Sequence, residues 1–234
     1  MINYTDLKVL ITGGSSGIGK ATAIELIKKG AKVSITGRDF NKLDTVASQI
    51  NATPIHLDVS NYDLIATKTS EAIKLMNGMD ILINNAGIGE FSKLEDINIA
   101  QFENVFSTNV FGLSMLTQQV VKLFKKQQRG TVINIGSTAA SSGFSSGSVY
   151  CASKFALRGL TECWRHELRR DNIRVILINP SEVTTAFNSD IRKERDELAN
   201  KLSPYEIAHA IICAIDMDER GFIPELNIWA TNPF

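Results

Sequence analysis

The chain has 234 residues, enough for one compact domain whose core needs no disulfides. Lys plus Arg (25) equals Asp plus Glu (25), so no charge excess points to nucleic acid or an anionic membrane as the main partner. The three cysteines lack the spacing of a metal site, and no run resembles a signal peptide or a membrane span. We therefore expect a cytoplasmic, single-domain protein without a metal.

Short runs rich in Val, Ile and Leu alternate with longer helical patterns along the chain, and several runs are apolar throughout, as in a buried parallel sheet. The predicted strands are Leu7–Thr12, Lys32–Thr36, Pro54–Leu57, Asp80–Asn84, Thr131–Gly136, Arg174–Asn179 and Leu226–Trp229. The predicted helices are Ile18–Lys29, Phe40–Ile50, Tyr62–Met76, Ala100–Lys126, Val149–Arg170 and Pro204–Ile215. This alternation predicts one α/β domain over residues 1–234, with helices on both sheet faces.

A glycine-rich loop, TGGSSGIG at 12–19, joins the first strand to the first helix. Glycines here permit a tight turn, a close approach of the backbone to a pyrophosphate, and close packing of helix on strand. The positive end of the helix dipole then faces the phosphates. Its position, more than its composition, indicates a dinucleotide site. The expected contacts are Gly13, Ser15, Ser16, Gly17, Ile18 and Gly19.

The second strand is followed by Gly37 and then Arg38. An acid at this strand tip binds the ribose 2′-OH of NAD, whereas an arginine accommodates the 2′-phosphate of NADP. Asp39 follows the end of the strand, and we predict that it caps the next helix. Arg38 therefore favours NADP(H) over NAD(H), unless it is simply a solvated loop cation.

Ser137 follows the fifth predicted strand, and Tyr150 and Lys154 begin the next long helix. Their i,i+4 spacing gives Tyr150 and Lys154 a common face. A phenol has a pKa of about 10, and a nearby ammonium favours the phenolate and lowers that pKa. On this spacing alone, packing plus a solvent-directed lysine is the commoner arrangement. The interpretation as an acid/base site depends on the whole set of motifs.

Together these motifs resemble the classical short-chain dehydrogenase/reductase family. The shared elements are TGGSSGIG, Leu57-Asp58-Val59, Asn84-Asn85-Ala86-Gly87, Asn109 within a helix, Ser137, YCASK at 150–154, and Pro180. The resemblance implies a single doubly wound Rossmann domain whose seven-stranded, mostly parallel sheet has the order 3-2-1-4-5-6-7. It also implies an NAD(P)-dependent oxidoreductase acting on CH–OH or C=O groups.

The resemblance assigns roles to individual residues. Tyr150 exchanges a proton with the substrate oxygen, Ser137 orients the carbonyl, and Lys154 hydrogen-bonds the nicotinamide ribose and tunes Tyr150. Asn109 holds a water that links Lys154 to solvent, unless it is only a capping or core amide. The further cofactor contacts that the resemblance implies are Asp58 and Val59 at the adenine, Asn85, Ala86 and Gly87 at the adenosine ribose, and Pro180, Val183 and Thr185 at the nicotinamide.

The chain departs from the family after Pro180, where Ser181 replaces the usual glycine and Glu182 adds a charge. Either the substitution is tolerated, with Glu182 facing solvent, or these residues shape substrate choice or slow turnover. Residues 182–203 lack strand character, and we predict that they form a substrate lid.

The leading hypothesis is an NADP(H)-dependent carbonyl reductase or alcohol dehydrogenase for a small molecule. One alternative is a 3-oxoacyl-carrier-protein reductase, with cations such as Arg129 and Arg169 docking an acidic carrier rather than complementing helix dipoles. Another is a regulatory protein that senses NADP(H) without catalysis. Relatives pair their corresponding helices, so we expect a homodimer or homotetramer. The apolar residues noted there are Phe102, Phe106, Phe111, Leu113, Leu157, Leu160 and Trp164.

Overall fold

The computed structural model describes residues 2–187 and 195–233. Its strands are β1 (Lys8–Ile11), β2 (Lys32–Gly37), β3 (Thr53–His56), β4 (Ile81–Asn84), β5 (Gly130–Ile135), β6 (Ile173–Pro180) and β7 (Glu225–Ile228). Its α-helices are α1 (Gly17–Lys28), α2 (Phe40–Ile50), α3 (Tyr62–Met76), α4 (Ile99–Phe106), α5 (Leu113–Gln127), α6 (Ser148–Leu168) and α7 (Pro204–Ile215). The predicted strand bounds agree with these to within one residue.

The seven strands form one sheet in the order β3-β2-β1-β4-β5-β6-β7, which confirms the predicted fold class. Every neighbouring pair is parallel, so the carboxyl ends of all strands meet at one edge. The chain order reverses between β1 and β4. Ligands of open α/β sheets bind in the crevice outside the strand ends at such a reversal.

Two apolar cores lie on the two faces of the sheet because successive strand side chains point to opposite faces. In β1, Leu10 packs in a core with Leu82 and Phe124, beneath α3 and α5. The next residue, Ile11, packs on the other face in a core with Leu26, beneath α1 and α7. Both faces are thus covered, which explains the continuously apolar strands.

The predicted helix Ala100–Lys126 is not one regular α-helix. A π-helical segment, Ser107–Gly112, separates α4 from α5. Gly112 comes so close to the backbone carbonyl of Val59 that a side chain could not fit between them. Asn109 lies within this π-helical segment, and short π-helical segments inside α-helices are frequent at functional sites. Within the described ranges, no helix has the length and apolar character needed to cross a membrane.

Candidate active site

The glycine-rich loop wraps tightly around the start of α1 at the carboxyl edge of the sheet. Gly13 and Gly17 have φ values of +65° and +51°, which suit glycine. A Cβ on Gly19 would lie 2.5 Å from both the Gly13 carbonyl oxygen and Asn85 Nδ2. Gly19 therefore lies behind the loop and packs α1 against it, while Ser15 to Ile18 line the cleft.

Gly14, which we did not predict from the sequence, occupies a position where a side chain would not fit. A Cβ there would lie 2.5 Å from the Cβ and Cγ2 atoms of Ile35. Its N–H donates to the Thr36 carbonyl at 3.0 Å, so the loop is attached to β2. The doubled glycine directly after a strand was the available signal.

Thr12 fastens the loop that follows β4. Its Oγ1 accepts hydrogen bonds from the backbone N–H groups of Asn85 (3.0 Å) and Ala86 (2.9 Å). In return, Asn85 Nδ2 donates to the carbonyls of Thr12 (2.9 Å) and Gly13 (3.1 Å). The side chain of Asn85 is thus committed to joining two loops across the point where strand order reverses.

The end of the cleft beyond β2 and β3 carries Arg38, Asp58 and Val59. Arg38 is exposed and has Lys42 beside it in the cleft wall. Asp39 accepts from the Lys42 backbone N–H at 3.0 Å, which confirms that it caps α2. Asp58 Oδ1 accepts from both the N–H and the hydroxyl of Ser60, so its carboxylate is held at the cleft wall.

Ser137, Tyr150 and Lys154 meet at the carboxyl end of β5. Lys154 Nζ donates to the Ile135 carbonyl at 2.8 Å and lies 5.7 Å from the centroid of the Tyr150 ring. Tyr150 and Lys154 are buried, yet both contribute to the cleft wall. The Ser137 side chain lies near enough to the Tyr150 hydroxyl to affect its ionisation.

Burial governs the ionisation of this pair. It raises the pKa of Tyr150 to about 12, and the nearby side chain of Ser137 opposes this rise. Burial also lowers the pKa of Lys154 to about 8. The expected lowering of the Tyr150 pKa by Lys154 is therefore not found. At neutral pH, Tyr150 is a phenol with a proton to give and Lys154 remains mostly charged.

A buried asparagine at the end of β6 positions Ser137. Asn179 Oδ1 accepts from the Ser137 backbone N–H at 3.2 Å, and Ser137 Oγ accepts from the Ala139 N–H at 3.1 Å. The latter bond uses a lone pair and leaves the Ser137 hydroxyl proton for another acceptor. Sequence reasoning missed Asn179, although an Asn near the end of several apolar strands was a visible signal.

Asn109 braces the loop after β4 and does not line the cleft. Its Oδ1 accepts from the Ile88 N–H at 2.9 Å, and its Nδ2 donates to the Ile88 carbonyl (2.8 Å) and to Ser153 Oγ (3.1 Å). Both amide protons are therefore used within the protein, and one lone pair of Oδ1 remains for a water. These bonds are those of a buried core amide, and the water that the resemblance assigns to Asn109 stays a prediction.

The segment after β6 closes the remaining side of the cleft. Pro180 pairs with Ile228 of β7, and Val183 forms a bridge with Leu202. Thr185 lies against the glycine-rich loop, because a Cβ on Gly17 would be 3.1 Å from its Cγ2.

Glu182 does not simply face solvent. It forms ion pairs with Lys201 (2.8 Å) and Arg195 (3.6 Å). Arg195 also donates to the carbonyls of Val183 and Thr185, both at 3.0 Å. These contacts hold the two ends of the predicted lid together. Residues 188–194 of that lid lie outside the described part of the chain.

These elements enclose a cleft of about 1220 Å³, larger than the ~300–1,000 Å³ of typical small-molecule sites. Of the residues predicted from the sequence, Gly19 and Asn109 lie behind its wall. The predicted residues in the wall are Gly13, Ser15, Ser16, Gly17, Ile18, Arg38, Asp58, Val59, Asn85, Ala86, Gly87, Ser137, Tyr150, Lys154, Pro180, Val183 and Thr185. Residues 2–187 and 195–233 contain no group of three His, Cys, Asp or Glu side chains arranged for a metal.

Comparisons with known proteins agree with this architecture. A family model described as short chain dehydrogenase matches residues 7–196. The NADP-dependent 3-hydroxy acid dehydrogenase of Schizosaccharomyces pombe is 32% identical over 239 residues, covering 96% of this chain and 92% of that protein.

Solved structures are similar over nearly the whole length. A metagenomic short-chain oxidoreductase in complex with NADP has a TM-score of 0.83 and 29% identity, covering 95% of this chain and 96% of that one. Serine dehydrogenase from Escherichia coli has a TM-score of 0.85 and 27% identity, covering 95% and 97%. The family model and the relative from Schizosaccharomyces pombe establish that this chain belongs to the short-chain dehydrogenase family.

Proposed function

We propose that the protein is an NADP(H)-dependent oxidoreductase that transfers a hydride between nicotinamide and a carbonyl or alcohol carbon. The observation that carries the proposal is the buried phenol of Tyr150, next to Ser137 and Lys154, in a cleft whose other end presents Arg38. The relative in Schizosaccharomyces pombe is NADP-dependent by name, and the metagenomic structure holds NADP, which supports the same cofactor here.

The residues present fit a dinucleotide. Gly13 and Gly17 lie in the cleft wall in conformations that favour glycine, beside the start of α1, where backbone N–H groups can bind a pyrophosphate. Asp58 and Val59 suit the adenine, Asn85 to Gly87 its ribose, and Lys154 the nicotinamide ribose. Pro180, Val183 and Thr185 would border the nicotinamide. A bound nicotinamide supplies or accepts the hydride.

Arg38 is the residue that favours NADP(H). Its exposed guanidinium in the cleft wall can form charge-assisted hydrogen bonds with a 2′-phosphate. Lys42 adds a second cation at the same end. One carboxylate oxygen of Asp39 is already used to cap α2, so Asp39 is held in part by its own helix.

The proton chemistry follows from the pKa values. In reduction, Tyr150 donates its phenolic proton to the carbonyl oxygen while the carbon receives the hydride, and the product is an alcohol. Ser137 donates its hydroxyl hydrogen bond to the same oxygen and stabilises its developing negative charge. The positive charge of Lys154 stabilises the phenolate that Tyr150 becomes, and Asn109 braces the helix and loop around Lys154. In oxidation the proton moves in the opposite direction.

The carrier-protein alternative loses support from the positions of its cations. Arg129 pairs with Asp80 at 3.1 Å, before β4 and β5, and so at the opposite edge of the sheet from the cleft. Arg169 directly follows the end of α6 and is 19 residues beyond Tyr150, about 28 Å along the helix axis. Both cations complement local charges or helix ends, and a carrier docked there would be far from Tyr150.

The oligomeric state is a separate proposal. Phe111 (51% exposed) on the α4–α5 side and Phe155 (47% exposed) on α6 present apolar surface that a second copy could cover. Leu113 and Leu157, also noted in the sequence, pack instead in a cluster with Leu177. We propose a homodimer or homotetramer, which light scattering of the purified protein tests.

The deciding experiment measures consumption of NADPH and NADH by the wild type and Tyr150→Phe with a panel of carbonyls. We expect turnover with NADPH and a loss of about 10²–10⁴-fold in Tyr150→Phe with NADPH binding retained. Tyr62→Phe, which changes an exposed phenol outside the cleft, serves as the matched control. Tight NADPH binding without turnover of any carbonyl would instead favour the regulatory alternative.

A further inference from the structure

Two phenylalanines contact the ring of Tyr150 and a third stacks on one of them, and the sequence motifs account for none of the three. The ring centroids of Phe91 and Phe187 each lie 5.6 Å from that of Tyr150, with interplanar angles of 49° and 55°. Phe144 stacks on Phe91 with its centroid 5.9 Å away. All three line the cleft. We refer to Phe91, Phe144 and Phe187 as the aromatic wall.

The aromatic wall comes from three segments that tertiary contacts hold in place. Phe91 follows β4, Phe144 precedes α6, and Phe187 follows β6. A hydrogen bond of 2.9 Å from the Ser92 N–H to the Ser146 carbonyl joins the first two segments. The Phe187 N–H donates to Thr185 Oγ1 at 3.2 Å, which ties the third segment to the cofactor side of the cleft.

Two glycines provide the space that the rings occupy. A Cβ on Gly147 would lie 2.5 Å from the ring of Phe144. A Cβ on Gly89 would lie 2.7 Å from the ring of Phe91 and 3.0 Å from that of Phe187. Any other residue at either position would displace a ring. The aromatic wall therefore requires glycine at both positions.

The aromatic wall is only partly covered by the protein. Phe91 is 37% exposed and Phe144 is 51% exposed, although both belong to a concave site. Apolar surface in a cleft gains free energy when a ligand covers it. Aromatic rings at these separations favour a further ring in an edge-to-face or offset arrangement.

The charges near the wall oppose an anionic substrate. The carboxylates of Glu90 and Glu182 both contribute to the cleft lining. Apart from Lys154, Arg195 is the cation that the described residues bring to this end of the cleft. It is already bonded to two backbone carbonyls and paired with Glu182. Because Glu182 is paired with Lys201 and Arg195, a substrate carboxylate would meet the carboxylate of Glu90 and a cation whose donors already have other partners.

We propose that the carbonyl of the substrate is attached to a flat, uncharged, unsaturated ring, which the aromatic wall recognises. This inference rests on the proposed function, because it requires the carbonyl oxygen to lie at the Tyr150 hydroxyl. A ring next to that carbonyl then contacts Phe91 and Phe187, the two side chains that touch the Tyr150 ring.

The test uses benzaldehyde and cyclohexanecarboxaldehyde, which are similar in size but differ in aromaticity, with NADPH as reductant. Acetoacetate represents 3-oxo acids, and betaine aldehyde represents cationic carbonyls. The kcat/KM for each is measured for the wild type, Phe91→Leu, Phe144→Leu and Phe187→Leu. Phe40→Leu, which removes an exposed ring outside the cleft, is the matched control. Comparing the benzaldehyde to cyclohexanecarboxaldehyde ratio between proteins cancels the intrinsic reactivity of the two aldehydes.

We expect benzaldehyde to have the highest kcat/KM, and its ratio to cyclohexanecarboxaldehyde to fall about three- to tenfold in Phe91→Leu and Phe187→Leu. Phe40→Leu should leave the ratio unchanged. NADPH affinity and thermal midpoints verify that each variant is folded. Tyr150-dependent turnover that favours acetoacetate or betaine aldehyde, or a ratio that all three variants leave unchanged, overturns this inference alone. No Tyr150-dependent turnover of any carbonyl overturns the proposed function as well.

Discussion

Glu182 Oε2 lies 2.8 Å from Lys201 Nζ, so one ion pair joins the two ends of the segment between β6 and α7. Glu182 directly follows Ser181, which stands where the family usually has a glycine. Arg195 reinforces it by pairing with the same carboxylate and by donating to the carbonyls of Val183 and Thr185. The departure from the family pattern thus has a structural consequence at the base of the predicted lid.

Removing the charge in Glu182→Gln should loosen this segment slightly. The pKa of Glu182 is lowered chiefly by its hydrogen bond to Lys201, so the pair stabilises the fold above the ordinary pKa of a glutamate. That stability is lost as the pH falls through the lowered pKa. Because Glu182 is exposed, we expect at most about 1 kcal/mol, or about 2–4 °C in Tm.

Thermal unfolding at neutral and acidic pH, with and without added salt, measures this effect. The difference between the wild type and Glu182→Gln should shrink in acid and in high salt. The KM for the carbonyl should rise no more than about fivefold, with kcat nearly unchanged. Asp218→Asn, which breaks a local pair with Arg220, should leave KM unaffected. An equal change in KM for both variants would exclude a specific role for the Glu182 pair.

Arg38→Gln should weaken discrimination between the two cofactors. The loss of charge-assisted hydrogen bonds to the 2′-phosphate should lower kcat/KM for NADPH about ten- to a hundredfold and leave that for NADH nearly constant. Lys32→Gln, at the opposite end of β2, is the control and should change neither value. Steady-state kinetics with each cofactor decide the matter, and an equal loss for NADPH and NADH would contradict the assignment.

Lys154→Met should inactivate the enzyme yet stabilise the fold at pH 7. The lowered pKa, about 8, means that the folded protein binds the proton more weakly than the unfolded chain does. The penalty for burying the charge is complete below pH 8 and disappears as the pH rises toward 10.5. It amounts to about 3 kcal/mol, and loss of the hydrogen bond to Ile135 offsets about 1 kcal/mol of the gain.

Urea unfolding at pH 7 and pH 10 tests this prediction. Lys154→Met should be more stable than the wild type by about 2 kcal/mol at pH 7, and the two should converge or reverse order at pH 10. Lys122→Met, on the exposed side of α5, should show no such pH dependence. A Lys154→Met protein that is less stable at pH 7 would show that the buried charge is not costly.

Gly19→Ala should damage both stability and cofactor binding. Its Cβ would lie 2.5 Å from the Gly13 carbonyl oxygen and from Asn85 Nδ2, and relieving that overlap should cost about 1–3 kcal/mol. Gly159→Ala, in α6 with open space around its Cβ, should instead gain about 0.5–1 kcal/mol. Urea midpoints and NADPH dissociation constants compare the two. Normal NADPH binding by Gly19→Ala would disprove the close fit.

The elements that could be predicted are those whose cause is local. The β-strands are apolar at successive positions, and the glycine-rich loop carries its turn requirements within a few residues. Tyr150 and Lys154 share a face because of helix periodicity alone. These patterns predicted the elements, the resemblance to the family implied the strand order that the structure shows, and Asp39 was correctly predicted as a cap.

The tertiary structure decided features that join residues distant in the chain. Asn179 contacts Ser137, and Glu182 pairs with Lys201, because the packed sheet brings their segments together. The π-helical segment that contains Asn109 depends on the close approach of Gly112 to the backbone of Val59. The pKa of Tyr150 depends on how deeply α6 buries it, which no helix spacing encodes. The sequence by itself therefore determined the family chemistry, whereas packing decided the proton affinities and the aromatic surface offered to the substrate.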